Sequence, residues 1–423
     1  MAGIQKIGWR RVINSHVEFT NEFVIELDDG SLGVGASPQG ETISIYEGDQ
    51  RVLSPEAVLC LIQSQGCIGL EMEQQEFDNF LQRHIGEFGR NNVFSLSLAF
   101  FNAKTVSCPG MERLGARVRE SGTPRLCCNI LNGSRHAYTN PVLSDFAEYL
   151  LVARSHEVEK VIELHGQVQR KVREKLRKHG MELVSGNPVY RLGARDNREC
   201  LEFLLAILGE LGLGNEFDLM VDASAGDLWT GQRYQLAVTD NSSYSGEEFG
   251  EYWAGLIREF GIGFLEDPFG EKDQEAWREL SGSVKCCHVI GDNFYSSDAL
   301  RIEDGSIRGC THGVIIKPNQ AGTITAACRA VEAAQRHGQL TIASHRSVST
   351  EETFVSTLSC IYGVDYIKIG PLMTDYSSVM RLNSILRWAN EPVWHDKPAS
   401  APSGTPIPIT TPNGATPERS MSP

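Results

Sequence analysis

Beyond residue 125 the chain alternates short apolar runs with stretches whose apolar residues recur at helical spacing. The runs are LCCNIL, FDLMVDAS, GIGFLEDP, HVIGDN, GVIIKPN, LTIASHR and YIKIG. Between them, the patterns over 198–212, 245–260, 274–281, 323–337 and 350–361 predict amphipathic helices. Such alternation predicts a parallel sheet with helical crossovers. Seven or eight such units predict closure into an α/β barrel. The Glu-, Lys- and Arg-rich stretch 144–179 reads as one long helix, either an insertion or a solvated outer helix.

The first third follows a different rhythm. FVIELDDGSLGVGA predicts two strands joined by an Asp-Asp-Gly turn, and helical patterns follow over 55–65, 71–87 and 93–103. The glycines of GVGASPQG lack the spacing of a dinucleotide-binding turn. After Trp388 the sequence is dense in Pro, Ser and Thr and poor in core residues, which predicts disorder. The expected organisation is an N-terminal α+β domain over 1–125, an α/β barrel over 126–390 and a disordered tail over 391–423.

Composition narrows the setting. With 423 residues, 41% hydrophobic and 22% charged, the chain can bury a large core. A net charge of −15 argues against nucleic-acid binding. No run approaches the length of a membrane span, and the start MAGIQKIGWRRV has no signal-peptide pattern. The eleven cysteines show no CxxC spacing. Reduced thiols in a cytoplasmic protein are expected.

Five of the apolar runs share a chemical feature: each ends in polar or charged residues. Asp222, Glu266, Asp292, Lys317 and the pair His345–Arg346 follow one another in chain order. In an α/β barrel the C-terminal strand ends converge on one mouth. Three carboxylates meeting there repel one another unless a cation intervenes, and an all-oxygen set favours Mg²⁺. Cations beside Lys317 disfavour its ammonium form. A neutral amine there can take a proton from a carbon next to a carboxylate. Arg346 with Ser347 suits an oxyanion such as phosphate.

These residues carry a resemblance to enolase, the phosphopyruvate hydratase family, over most of the chain. IKPNQAGTIT is similar to the family's LKxNQIGTxT, IASHRS to VSHRSGET, and GFLEDPF to SIEDPF. The resemblance implies an eight-stranded barrel behind a small α+β domain, often in a homodimer, and loss of water from 2-phosphoglycerate. It makes Asp222, Glu266 and Asp292 the Mg²⁺ ligands and Lys317 the base. His345, Arg346 and Ser347 become substrate contacts, and His136 in NGSRHA a further one. Arg381 stands where the family has a second lysine.

The departures also carry information. Pro188 stands near the place of a glutamate that assists hydroxide loss. A partner acid is read as Asp145, nine residues after His136. The lid sequence is SPQGETIS, with Thr42 in place of a metal-contacting serine. The expected activity is that of a Mg²⁺-dependent lyase acting on a phosphorylated or phosphonylated carboxylate to give an enolpyruvate. A specialised relative such as carboxyphosphonoenolpyruvate synthase is the leading reading. Ordinary phosphopyruvate hydratase and a weakened binding protein are the alternatives.

Overall fold

The apolar runs become the wall of a closed eight-stranded barrel in the computed structural model, which describes residues 3–41, 43–48, 52–105, 122–134, 139–184, 187–372 and 375–390. His136, Thr42 and the tail 391–423 lie outside the described residues. Strands β1 (Ile4–Ile13), β2 (Phe19–Leu27) and β3 (Leu32–Ala36) form an antiparallel sheet. The barrel strands are β4 (Arg125–Asn132), β5 (Glu148–Ala153), β8 (Phe217–Asp222), β11 (Ile262–Glu266), β12 (His288–Gly291), β13 (Gly313–Ile316), β14 (Leu340–Ser344) and β15 (Tyr366–Lys368). Two small hairpins lie between them, β6 (Met181–Val184) with β7 (Asn187–Tyr190), and β9 (Tyr234–Gln235) with β10 (Ser243–Tyr244).

The stretch 144–179, expected as one helix, divides in two. Residues Glu148–Ala153 are β5, every one of them buried, and the helix begins only at Val158 and ends at Leu176. The reason is visible in EYLLVA, whose apolar run fills a barrel wall, whereas the charged pattern belongs to the helix alone. The barrel is also not wholly parallel. Strand β5 pairs antiparallel with both β4 and β8. Its first residue, not its last, therefore sits beside the end of β8, with Glu148 opposite Asp222.

Inside the barrel, alternate residues pack into an apolar plug that includes Cys127, Met220, Phe264, Ile315 and Tyr366. The outer faces meet the helices in a larger core built around Trp253 and Trp277. In the N-terminal sheet, the glycines of LGVGA serve packing. A Cβ on Gly33 or Gly35 would lie 2.1–2.2 Å from backbone atoms of the helix Arg90–Thr105, so that helix lies directly on β3. All ten cysteines among the described residues are free thiols. No helix among them is long and apolar enough to cross a membrane.

One buried group sets a pH dependence. His165, in the helix Val158–Leu176, is 5% exposed and neither ring nitrogen has a hydrogen-bond partner among the described residues. Burial pushes its pKa down to about 4. Below the ordinary histidine value of about 6.5 the unfolded chain takes up a proton that the folded chain refuses. Stability therefore falls as pH drops towards 4, by about 3 kcal/mol in all from this group. Denaturant unfolding of His165→Leu against the parent, at about pH 7.5 and about pH 4.5, should show a shallower loss for the variant.

Candidate active site

Each strand end at the barrel mouth is fixed by its own packing. After β11, the buried indoles of Trp253 and Trp277 donate to the carbonyls of Pro268 (3.1 Å) and Gly270 (3.1 Å), pinning the turn that follows Glu266. Asp267 has a left-handed backbone (φ 42°), and its carboxylate accepts from the amides of Asp292 (2.9 Å) and Asn293 (2.8 Å). This stitches the end of β11 to the end of β12. Asp222 is oriented by Ser224, whose amide and hydroxyl both donate to Oδ1 at 3.0 Å.

Asp222 and Glu266 come together, and the cation between them is Lys368 at the end of β15. Its ammonium group lies 2.9 Å from both Asp222 Oδ2 and Glu266 Oε2, and 2.7 Å from Glu148 Oε2. Burial opposes the charge on Lys368, but the three carboxylates outweigh it and hold the group well above its ordinary pKa. Burial, then repulsion by Asp222, pushes the Glu266 carboxyl well up. Three acids around one ammonium thus retain a proton or call for a further cation.

Lys317, just after β13, pairs with Asp292 Oδ2. The other oxygen of Asp292 is buried without a hydrogen-bond partner among the described residues. His345 donates from Nδ1 to the Lys368 carbonyl (3.1 Å), leaving Nε2 as an acceptor. Burial, reinforced by Arg381, Lys368 and Lys317, keeps this imidazole neutral. A cavity of about 690 Å³ opens beside these groups, lined in part by Asn132, Glu148, His345 and Ser347. Its far wall comprises the β1–β2 turn and the start of the helix Tyr376–Ala389.

A loop from the N-terminal sheet crosses this mouth. Gln39 pairs with Val348, the Glu41 amide donates to Ser347 Oγ (3.0 Å), and Ser44 Oγ donates to the Asn293 carbonyl (2.9 Å). Glu47 from the same loop pairs with Arg346 at 2.8 Å, both buried. Both expected oxyanion contacts are thus engaged by the lid.

Three expected residues fall elsewhere. Arg381 is fully buried; it donates to the Ile369 carbonyl (3.2 Å) and lies 3.8 Å from Asp375, while Nε and Nη2 find no partner among the described residues. Asp145 is buried in a hydrogen-bond network of its own. Its carboxylate accepts from Asn197 (3.0 Å), the Val238 amide (2.7 Å) and Thr239 (2.6 Å). Pro188 is exposed in the β6–β7 hairpin, opposite Leu183. Sequence reasoning missed Glu148, Lys368 and Glu47; the lysine inside the apolar YIKIG was the available signal for the second.

Residues 122–395 match the family model described as enolase, C-terminal TIM barrel domain. The chain belongs to the enolase family. Among curated relatives, an enolase of Halobacterium salinarum is 26% identical over 407 residues, covering 92% of this chain and all of the relative. An enolase of Legionella pneumophila is 25% identical over 410 residues, covering 90% and 96%. At this distance the family supports an enolase-like lyase in general terms. The mouth itself has to supply any finer reading.

Fit to a divalent cation can be judged from the donors. The acids are all oxygen donors, they outnumber the ammonium groups beside them, and Asp292 Oδ1 is a buried acceptor unmatched among the described residues. Those features suit Mg²⁺. Among the described residues, though, no three His, Cys, Asp or Glu side chains are grouped as a ready metal cage; Lys368 holds that centre.

Proposed function

We propose that the protein is a Mg²⁺-dependent enolase-like lyase. It removes the proton next to the carboxylate of a 2-phosphoglycerate-like substrate and expels hydroxide, giving an enolpyruvate. The observation that carries this reading is the pairing of Lys317 with Asp292 at one side of a mouth whose cavity wall holds Glu148 and neutral His345.

Asp222, Glu266 and Asp292 would hold Mg²⁺, which supplies positive charge to stabilise the dianion left by proton removal. Lys317 takes the C2 proton as its amine. The C3–O bond then breaks, and Glu148 is the member of the acid cluster that lines the cavity and can pass a proton to the leaving hydroxide. Neutral His345 accepts a hydrogen bond from a substrate hydroxyl at Nε2, and Arg346 with Ser347 meets the phosphoryl or phosphonyl oxygens.

A specialised role, such as carboxyphosphonoenolpyruvate synthase in phosphonate antibiotic biosynthesis, is the finer reading, supported by the low identity, 25–26%, to the curated enolases. Ordinary phosphopyruvate hydratase is the second reading, favoured by Glu148. The reading includes a cytoplasmic homodimer, with the lid carried by residues 1–125 and the barrel by 126–390.

Incubation with Mg²⁺ and 2-phosphoglycerate in deuterated water separates these. Deuterium uptake at C2 with slow phosphoenolpyruvate formation is the expected result. Fast dehydration would assign the protein to ordinary phosphopyruvate hydratase, and absence of both reactions would remove the lyase reading for this substrate class.

A further inference from the structure

Glu47 is a buried carboxylate that the proposed chemistry does not use, and its contacts form a continuous chain. Arg346 Nη1 donates to Glu47 Oε2 at 2.8 Å. The other oxygen, Oε1, accepts from Gln320 Nε2 at 3.1 Å and from the Ser44 amide at 3.1 Å. Gln320 Oε1 accepts from Ser297 Oγ at 3.0 Å, and Ser297 Oγ accepts from the backbone amide of Lys317 at 2.8 Å. The chain thus runs from Arg346, through the lid, to the strand end that bears the base.

Its polarity is self-consistent. Turning the Gln320 amide over would set its carbonyl oxygen against the Glu47 carboxylate and leave its NH₂ facing the Ser297 oxygen, which already receives a proton from Lys317. Gln320 and Ser297 are almost completely buried, so water cannot replace a broken link. Burial opposes the charge on Glu47, but Arg346 beside it holds the carboxyl below its ordinary range. A second tie runs in parallel: Arg90 donates to the Gln320 carbonyl and, at 3.4 Å, to that of Tyr46 in the lid.

We propose that Glu47 is a positioning residue: with the lid closed it sets the Arg346 guanidinium and, through Gln320 and Ser297, the strand end that carries Lys317. This rests on reading Lys317 as the base and Arg346 as the oxyanion contact. It means that the two ends of the substrate are gripped together. An open lid leaves both grips loose, which prevents proton exchange on a half-bound substrate.

The test uses the full chain and the variants Glu47→Ala, Gln320→Ala and their double. Amide hydrogen exchange is followed in residues 39–48 and 313–321, with strand Phe217–Asp222 as an internal gauge of overall stability. Gln320→Ala should speed exchange in the lid, and Glu47→Ala should speed it around Lys317. Strand Phe217–Asp222 should keep its protection in both. With 2-phosphoglycerate and Mg²⁺, each single variant should lose roughly 10- to 100-fold in kcat/KM for C2 exchange. The double should lose no more than either single. Glu47→Gln, which keeps an oxygen for Gln320, should recover part of the lid protection.

Additive losses, lid exchange untouched by Gln320→Ala, or a uniform speeding across all segments would overturn the proposal. If the parent shows no C2 exchange, the functional reading fails. The cross-talk between lid and strand end, which needs no substrate, still decides the role of Glu47.

Discussion

Replacing Lys317 by alanine should abolish deuterium uptake at C2 of 2-phosphoglycerate, with a loss of about 10²–10⁴-fold or more, the usual worth of a positioned base. The lysine sits just past β13 and makes its ion pair with Asp292 alone among the described residues. Removing it strands a buried carboxylate whose Oδ1 already has no hydrogen-bond partner among the described residues. A loss of stability will therefore accompany the loss of activity. Lys317→Arg separates the two effects. Guanidinium retains the charge that Asp292 needs but does not shed a proton near neutral pH. The arginine variant should recover the melting temperature of the parent without recovering exchange. Parent-like exchange in either variant would remove Lys317 from the role of base.

The rule that led to Lys317 also explains what the sequence concealed. Polar residues closing apolar runs mark the mouth of a parallel barrel, and Asp222, Glu266, Asp292, Lys317 and His345 all follow that pattern. Strand β5 breaks it by running the other way, so its mouth residue opens the strand. Glu148 precedes YLLVA, where no run-end rule looks, and the neighbouring charged helix disguised the strand itself. Lys368 lay inside an apolar run with a further apolar residue after it, and nothing local distinguishes a buried ammonium there from a snorkelling one. Glu47 is harder still. Its partner Arg346 is 299 residues away, and only the closed fold brings them together. Fold class was legible because periodicity is local. The lid–barrel contacts were not, since they depend on how the N-terminal sheet seats over the mouth.

Glu148→Gln should divide the reaction at its midpoint. Proton removal at C2 is assigned to Lys317, on the other side of the mouth, so deuterium exchange should persist. Hydroxide departure loses its proton source, and phosphoenolpyruvate formation should fall by about 10²–10⁴-fold. The amide keeps an oxygen for Lys368, which retains Asp222 and Glu266 as ionic partners, so the cluster holds together. Asp145→Ala is the instructive contrast, since that residue occupies the expected sequence position. Its removal leaves the donors of Asn197, Val238 and Thr239 without their acceptor, costing roughly 3 kcal/mol or more of stability. Turnover per folded molecule should remain near that of the parent. Parallel measurement of exchange, elimination and melting temperature on both variants decides the assignment. Loss of elimination confined to Asp145→Ala would return the acid role to that residue. Equal loss of exchange and elimination in Glu148→Gln would make Glu148 a support for the lysine cluster rather than the acid. We propose Glu148 as the acid because the antiparallel strand brings it onto the cavity wall, while Asp145 is enclosed by three donors of its own.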